Sequence, residues 1–569
     1  MKKVVIMMLA VAISSFFMHS TLFYSSAKEI KSGKLTDEIT WKNEDGTLSF
    51  SGKGEMPDVS EWYIRVFGEF NHVIINEGIT RIGANMFNDY DNENNLQSIE
   101  LPSTITSIGD SAFYKQGALK SVEIPENVVT IGERAFGYCG LQNVDIPDSV
   151  TNIGSDAFFG SSLESVHLGN NLIQMGNRAF ASCDKLQSIN IPDSVLSIEG
   201  SLFSNCSNLQ NIEIPDSVTS IGVYAFADCK KLENVNLGDG VTNIGSSAFS
   251  SCIGLQSIKI PDSVTSIGAW AFEDCNNLKE ISLGNGLTNI GHRAFLSCSS
   301  LQNIEIPPNV TEISDSLFAE CKSLKSIKMG KEVSSIGESA FYKCESLQSI
   351  EIPDKVCDIL YNTFEGCRSL RDISIGSGLK QIYSNAFLNC NNIRRIDITD
   401  LSQWCRINFN DNPICASTSL YLNGEVITCL EIPNGLEYVS RGAFANYLKL
   451  RSVKIPKSVT SIGKSAFAGC IGLVEVWYQG TEEESVALRI GETNAPLIAA
   501  MWNYAIYGDL NRDECITDSD ALYLLYHTIF GDTYPIEQDC DYNHDGSVTD
   551  ADALYLLYHT IFGDSYPLN

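Results

Sequence analysis

LQSIKIPDSVTSIGAWAFEDC, from Leu255 to Cys275, is one turn of a pattern that fills most of this 569-residue chain. Ser257 to Ile260 reads as a short strand with Ile258 and Ile260 on one face, because side chains alternate across a strand. Pro261 ends it, since proline has no N–H to give to a ladder. Asp262 and Ser263 are turn formers. Val264 and Ile267 point back inside, Gly268 makes a tight bend, and Ala271 with Phe272 fills the interior from a helical turn. One such unit cannot bury its apolar side alone. Stacked copies can, with strands about 4.8 Å apart.

The landmark phenylalanine recurs from Phe113 to Phe387 in steps of 23 residues, with two steps of 22, and again at Phe444 and Phe467. About fifteen coils would make a rod of roughly 70 Å at the strand spacing. From Pro215 the strand ends alternate between proline and glycine (Pro215, Gly238, Pro261, Gly284, onward to Gly376), so the array is built from duplicated 46-residue pairs. The IPxxVTxIGxxAF core resembles the BspA type of bacterial leucine-rich repeat over roughly residues 71–480. That resemblance implies a right-handed solenoid of parallel short strands with helical turns, used on cell surfaces and in secreted proteins, often for adhesion. Residues 28–70 read as an N-terminal cap, with a hairpin in Thr40–Gly52 turning at Asp45-Gly46. Residues 481–504 read as a C-terminal cap and junction. Between about 396 and 430 the pattern breaks around Trp404, Asn412-Pro413 and Asn423-Gly424.

Most coils carry cysteine three residues after the landmark, from Cys139 to Cys390 and at Cys470. A ladder holds equivalent Cβ atoms about 4.8 Å apart and pointing the same way, too far for an unstrained bridge. No CxxC pair or histidine partner stands nearby, which speaks against metal. These residues therefore read as buried, unbridged thiols serving as small core residues. Pairing of Cys515 with Cys540, or among Cys405, Cys415 and Cys429, stays open.

Seventy acidic against 39 basic residues give a net charge of −31, which disfavours nucleic acid and anionic membranes as partners. Lys2 and Lys3, the apolar run Val4–Phe17, and small residues Ser25 and Ala27 read as a signal peptide over residues 1–27, cleaved before Lys28. An uncleaved anchor is the alternative, but the run is short for a span of about 20 residues. The outward strand positions include Glu123, Asp145, His167, Asn190, Glu213, Asn236, Lys259, Ser282, Glu305, Lys328, Glu351, Ser374 and Asp397. They form either a solvated face or a ligand-reading one. The row has no aromatic platform for sugars, although Tyr224 and Trp270 could supply one elsewhere.

The last 65 residues hold a second repeat, offset by 32: ALYLLYHTIFGD at Ala521–Asp532 and again at Ala553–Asp564. A calcium-loop pattern precedes each copy. The second has Asp541, Asn543, Asp545, Gly546, Ser547 through its carbonyl, and Asp552, at positions one, three, five, six, seven and twelve. The first has Asp509, Asn511, Asp513, Cys515 through its carbonyl, and Asp520, with Glu514 where glycine is expected. Two loops, each followed by one apolar helix, resemble a type I-like dockerin of ruminococcal cellulosome systems. The resemblance implies a small all-α dockerin over residues 505–569 that binds two calcium ions and plugs into a cohesin module of a scaffoldin. By the family's pattern the contacts fall on loop positions ten and eleven, here Asp518, Ser519, Asp550 and Ala551, and on helix positions Leu525, Tyr526, Leu557 and Tyr558. Those helix residues either form an apolar recognition patch or pack the module's own core.

The reading is a secreted, non-catalytic binding or adhesion protein, docked on a cohesin-bearing scaffold and presenting its solenoid to a protein or glycan partner. A scaffold-attached polysaccharide-degrading enzyme, or an enzyme inhibitor, is the alternative. Against the enzyme, the repeats fill their interior with side chains, the seven histidines are scattered, and no nucleophile motif appears.

Overall fold

Ile39–Glu44 and Thr47–Gly52 pair antiparallel with Glu44 opposite Thr47, so Asp45-Gly46 forms a two-residue turn. Both residues have positive φ, 48° and 80°, as the tight turn with matching twist requires. A computed structural model of the chain describes residues 32–60, 63–90, 95–504, 510, 516–530, 540–542, 547–562 and 568. The expected signal peptide lies outside the described residues, as do Asp509, Asn511, Asp513, Glu514, Cys515, Asn543, Asp545 and Gly546. The chain divides into two units, Met1–Val310 with Glu320–Lys322, and Thr311–Ala319 with Ser323–Asn569.

In the first unit, Thr47–Gly52 also pairs in parallel with His72–Ile75, which pairs with Ser98–Glu100. The hairpin is thus a cap whose second strand is already a rung. Its Phe50 and Phe67 close the end of the core, with the Phe50 ring edge-on to Phe87 at 5.7 Å. Further along, Asn143–Asp145, Ser165–His167, Ser188–Asn190, Asn211–Glu213 and Asn234–Asn236 stack in parallel, like residue on like. A second parallel sheet is built of two-residue strands, such as Ser220–Ile221, Asn243–Ile244 and Ser266–Ile267. In the coil quoted first, Ile258, Ile260, Val264, Ile267, Ala271 and Phe272 are all buried. Phenylalanines from Phe87 to Phe295 stack with centroids 5.2–5.9 Å apart and planes nearly parallel. Full burial of each ring contributes roughly 1.5–3 kcal/mol, so the column holds the stack together.

The third side of the coil is not helical, which corrects the expected helical turns. Trp270, Phe272 and Asp274 donate their N–H groups to the carbonyls of His292, Ala294 and Leu296 in the next coil, at 2.8–3.1 Å. The residues between them bond locally: Glu273 N–H to the Trp270 carbonyl and Cys275 N–H to that of Phe272. Trp270 and Asp274 have φ of 55° and 57°, and the equivalent places repeat this left-handed pair from coil to coil. A helix would have kept these hydrogen bonds within one segment. Here every second one leaves for the neighbouring coil, a third ladder along the stack. Gly268 also differs from expectation. Its φ is not left-handed; a Cβ there would lie 2.4 Å from the Ser246 nitrogen, so glycine lets consecutive coils approach.

In the second unit, Ser349–Ile352, Asp372–Ile375, Arg395–Ile398 and Ser419–Leu422 continue as parallel rungs. The broken stretch is accommodated by a short helix, Leu401–Arg406, capped by Asp400, and by a hairpin at Asn423-Gly424. Buried Trp404 donates Nε1–H to the Ala443 carbonyl at 3.0 Å. The Phe387 N–H, which lacks the usual carbonyl, donates to the Asp411 carboxylate at 2.9 Å. Asn494 serves Phe467 in the same way at 2.8 Å, near the last rung, Met501–Tyr504. The two units together have about twenty turns, more than the fifteen expected, because coils without the landmark phenylalanine also carry rungs.

Candidate binding surfaces

The three-residue rungs expose their outer two residues and bury the middle one in Ser188–Asn190, Asn211–Glu213 and Ser257–Lys259, while Val235 in Asn234–Asn236 is half-buried. Across four rungs of the first unit this produces a shallow groove of about 530 Å³, lined by Ser188, Asn190, Asn211, Glu213, Asn234, Asn236, Ser257 and Lys259 over a floor of Ile189, Ile212, Val235 and Ile258. The Asn234 amide donates to the Asn211 amide oxygen at 2.6 Å. The sequence reading found the column of Asn190, Glu213, Asn236 and Lys259. It missed the parallel column of Ser188, Asn211, Asn234 and Ser257, which the strand alternation could have given. Other members of the outward row, such as Asp145, His167, Ser282 and Glu351, are exposed too. Asp397 is half-buried, clamped by Arg395 at 2.5 and 2.6 Å, and that guanidinium lies 3.9 Å from the Tyr421 ring centre. The groove offers amide and hydroxyl groups to a polar partner and no aromatic face.

One histidine constellation resembles catalytic geometry. His72 Nδ1 meets the Ser98 hydroxyl at 2.6 Å, and Nε2 lies 3.4 Å from Glu100. All three sit on an open sheet face, with Glu100 largely in water.

The cysteine column is buried and unbridged. Each thiol also does something the sequence reading missed: it donates to the carbonyl of the landmark phenylalanine one coil earlier. Cys229 reaches Phe203 at 3.2 Å, Cys252 reaches Phe226 at 3.1 Å, and Cys470 reaches Phe444 at 3.0 Å. The signal lay in the exceptions. Where cysteine is absent, the Ser161 hydroxyl donates to Phe136 at 2.8 Å and the Gln116 amide to Phe87 at 2.7 Å. Burial pushes these thiols up, to about 12 at Cys206, Cys275 and Cys470, so they stay protonated and inert. Cys405, Cys415 and Cys429 are also unbridged. At Cys415 burial raises the thiol, but the hydroxyls of Ser417 and Thr418 outweigh it and hold the group below the ordinary thiol value.

The two C-terminal helices, Asp518–Phe530 and Asp550–Phe562, pack on each other around Leu510, Ala521, Leu524, Cys540, Tyr542, Ala553 and Leu556. Leu525 and Leu557 lie partly buried against this small core, and Tyr526 and Tyr558 are half-buried. Asp518, Ser519, Asp550 and Ala551 are exposed. Leu522 and Ile529, with Leu554, Ile561 and Phe562, are exposed apolar residues that the sequence reading did not single out. Asp520 and Asp552 are fully buried in matching settings. Each accepts the N–H of the threonine three residues back, Thr517 or Thr549, at 2.8 Å, and Asp520 also accepts from the Leu510 N–H at 2.7 Å. Asp541 is half-buried and Ser547 exposed.

Stacked parallel rungs around a continuous buried column define a leucine-rich-repeat solenoid. The family model for the BspA type leucine-rich repeat region matches residues 80–210, 197–325, 311–420 and 415–482. The chain belongs to that family. A leucine-rich repeat protein from Bacteroides ovatus is 30% identical, with a TM-score of 0.56 over 68% of this chain and 98% of that one. One from T. pallidum is 32% identical over 28% of this chain and 77% of its own, with a TM-score of 0.27. A leucine-rich cell surface protein from Faecalibacterium prausnitzii is 24% identical over 82% and 98%, with a TM-score of 0.33. No curated protein matches the chain. Among the described residues, no helix is long and apolar enough to cross a membrane.

Proposed function

We propose that this is a secreted, non-catalytic binding or adhesion protein. Its C-terminal helices form a calcium-dependent dockerin for a scaffold-borne cohesin, and its solenoid presents a surface to a protein or glycan partner. The observation that carries the docking half is the duplicated setting of Asp520 and Asp552. Each is a buried carboxylate standing at the twelfth place of a repeated calcium-loop pattern, and a hard cation is a partner that suits a buried acid in such a loop. Asp509, Asn511, Asp513 and the Cys515 carbonyl would complete one oxygen set with Asp520; Asp541, Asn543, Asp545 and the Ser547 carbonyl would complete the other with Asp552. Calcium would supply the charge that lets these acids sit together, so binding becomes folding energy.

The exposed residues Asp518, Ser519, Asp550 and Ala551 and the apolar stripes through Leu522 and Leu554 are the surface for the cohesin. The test is calorimetry of the full chain against a panel of cohesins, with calcium and with chelator. Calcium should be required. Alanine at Asp541 and Asp552 should impair folding of the module more than alanine at Asp509 and Asp520, because glycine, as at position 546, would enter the sharp turn of a calcium loop freely, whereas glutamate, as at position 514, would do so at a cost of roughly 1–2 kcal/mol. Folding and binding that both survive chelation would exclude a dockerin.

A further inference from the structure

In the repeat, the place just before each rung of the first sheet alternates between glutamine and a charge: Gln256, Lys279, Gln302, Lys325, Gln348, Arg371. The alternation keeps neighbouring charges two rungs apart, about 10 Å and so about one Debye length at ordinary salt. Arg394 breaks it. The 46-residue pattern gives that place to glutamine, as at Gln302 and Gln348. Instead an arginine stands directly beside Arg371, with its N–H donated to the Arg371 carbonyl at 2.8 Å. Two like charges thus leave the backbone one rung apart, about 4.8 Å, an arrangement that weakens a sheet. Glutamine elsewhere shows that the coil does not require it.

Further cations gather at this bend of the second unit. Arg368 lies three residues before Arg371, and its carbonyl accepts the Asn392 amide at 2.7 Å. The Ser419 N–H donates to the Arg394 carbonyl at 2.8 Å, and the Lys449 ammonium bonds the Ser419 hydroxyl, so a fourth cation stands on the rung after Arg394. Arg395 differs: Asp397 clamps it. Arg368, Arg371, Arg394 and Lys449 are exposed, and among the described residues none of the four is ion-paired, although the chain holds 70 acidic residues. Glu345 and Asp372 are close in the coil and pair with none of them. Residues 323–480 hold 17 basic and 15 acidic residues, so the excess negative charge of the chain lies elsewhere.

We infer that this bend binds a polyuronate, a polysaccharide with a carboxylate on each sugar. Arginine forks take carboxylates two hydrogen bonds at a time. Exposed Gln348, Asn391 and Ser417 stand beside the cations and offer amide and hydroxyl groups to sugar hydroxyls. A protein partner needs an apolar anchor, and no large apolar residue is exposed from Arg368 to Asp372 or from Asn391 to Asp397. Duplex nucleic acid carries a far denser charge, which the net −31 of the chain repels. The inference rests on the reading of the solenoid as the ligand-presenting part of the protein, and it names the class of ligand.

The test is affinity electrophoresis of the full calcium-loaded chain, freed of unbound calcium so that the ion does not bridge chain and polymer. The gels hold polygalacturonate, its fully methyl-esterified form, or duplex DNA. One variant is Arg371→Gln with Arg394→Gln. The other, Lys120→Gln with Lys279→Gln, makes the same charge change at the same place in coils of the first unit. Polygalacturonate should retard the wild type, the ester and DNA should not, and salt should abolish the retardation. The arginine variant should bind at least about tenfold more weakly and unfold no earlier on heating, while the lysine variant should match the wild type. Equal retardation of the arginine variant, equal loss in the lysine variant, or retardation by the ester overturns the inference. So does earlier unfolding of the arginine variant, which would make the pair structural, and so does retardation by DNA. A wild type that ignores polygalacturonate yet captures a protein partner overturns the inference and leaves the binding role standing; capture of nothing in either assay sinks both.

Discussion

Raising the pH should unfold the solenoid through its cysteine column. Ten column thiols, from Cys139 to Cys470, are buried and held above the ordinary thiol value by loss of water. An unfolded thiol releases its proton near pH ~8.5, whereas the folded ones at Cys206 and Cys275 hold it to about 12. Unfolding therefore releases protons between these limits. The column's stabilisation is complete below about pH 8.5 and is lost as pH climbs toward the folded value, at about 1.4 kcal/mol per pH unit for each thiol. Replacing Cys229, Cys252 and Cys275 by serine keeps a hydroxyl donor for the phenylalanine carbonyls, as Ser161 does, and removes three titrating groups. The variant should lose roughly 4 kcal/mol per pH unit of alkaline slope if those coils unfold together. Urea unfolding followed by far-ultraviolet circular dichroism between about pH 8 and 10.5 would measure this, and tyrosine ionisation, common to both proteins, cancels. Equal slopes would refute the reasoning, as would thiolate absorbance from the native wild type near pH 9.

Three further outcomes are expected. Exposed Cys429 and the lowered thiol of Cys415 should react first with a thiol reagent, while the column reacts only after denaturation; rapid native labelling at Cys252 would contradict the burial. Gly366→Ala should lower stability by roughly 1–2 kcal/mol, since φ is 76° there, and thermal unfolding unchanged by the substitution would be the contrary result. Secreted protein should begin at Lys28 or within a few residues, so N-terminal sequencing that finds Met1 would reject the leader.

Much of the coil was legible because its apolar residues answer to a local rule. Alternation placed Ile258 and Ile260, and the hairpin turn at Asp45-Gly46 follows from two residues that accept positive φ. The turn side was misread because its hydrogen-bond partners lie mostly 21 or 22 residues away, where no short-range periodicity can point. Its left-handed places are mostly Ser, Asn, Asp and Gly, which was a usable sign, but Tyr224 and Trp270 obscured it. The thiol's role as a donor needed the comparison of Cys139 with Gln116 and Ser161 at one place in the coil. In the terminal helices, six apolar or aromatic residues in a row, ALYLLY, leave the buried face undecided. Only the packing of one helix on the other turned Leu525 inward and Leu522 outward.

The third ladder of hydrogen bonds has a mechanical consequence. Within a unit the coils grip their neighbours through bonds directed along the stack and through the buried apolar columns. A pull on one end therefore loads the bonds of the terminal coil first and leaves the next coil folded. Each coil that peels away releases 23 residues, about 80 Å of slack when extended. A chain tethered at its C-terminus and gripping a substrate through its coils would yield in equal steps under drag, and its attachments would feel a bounded force.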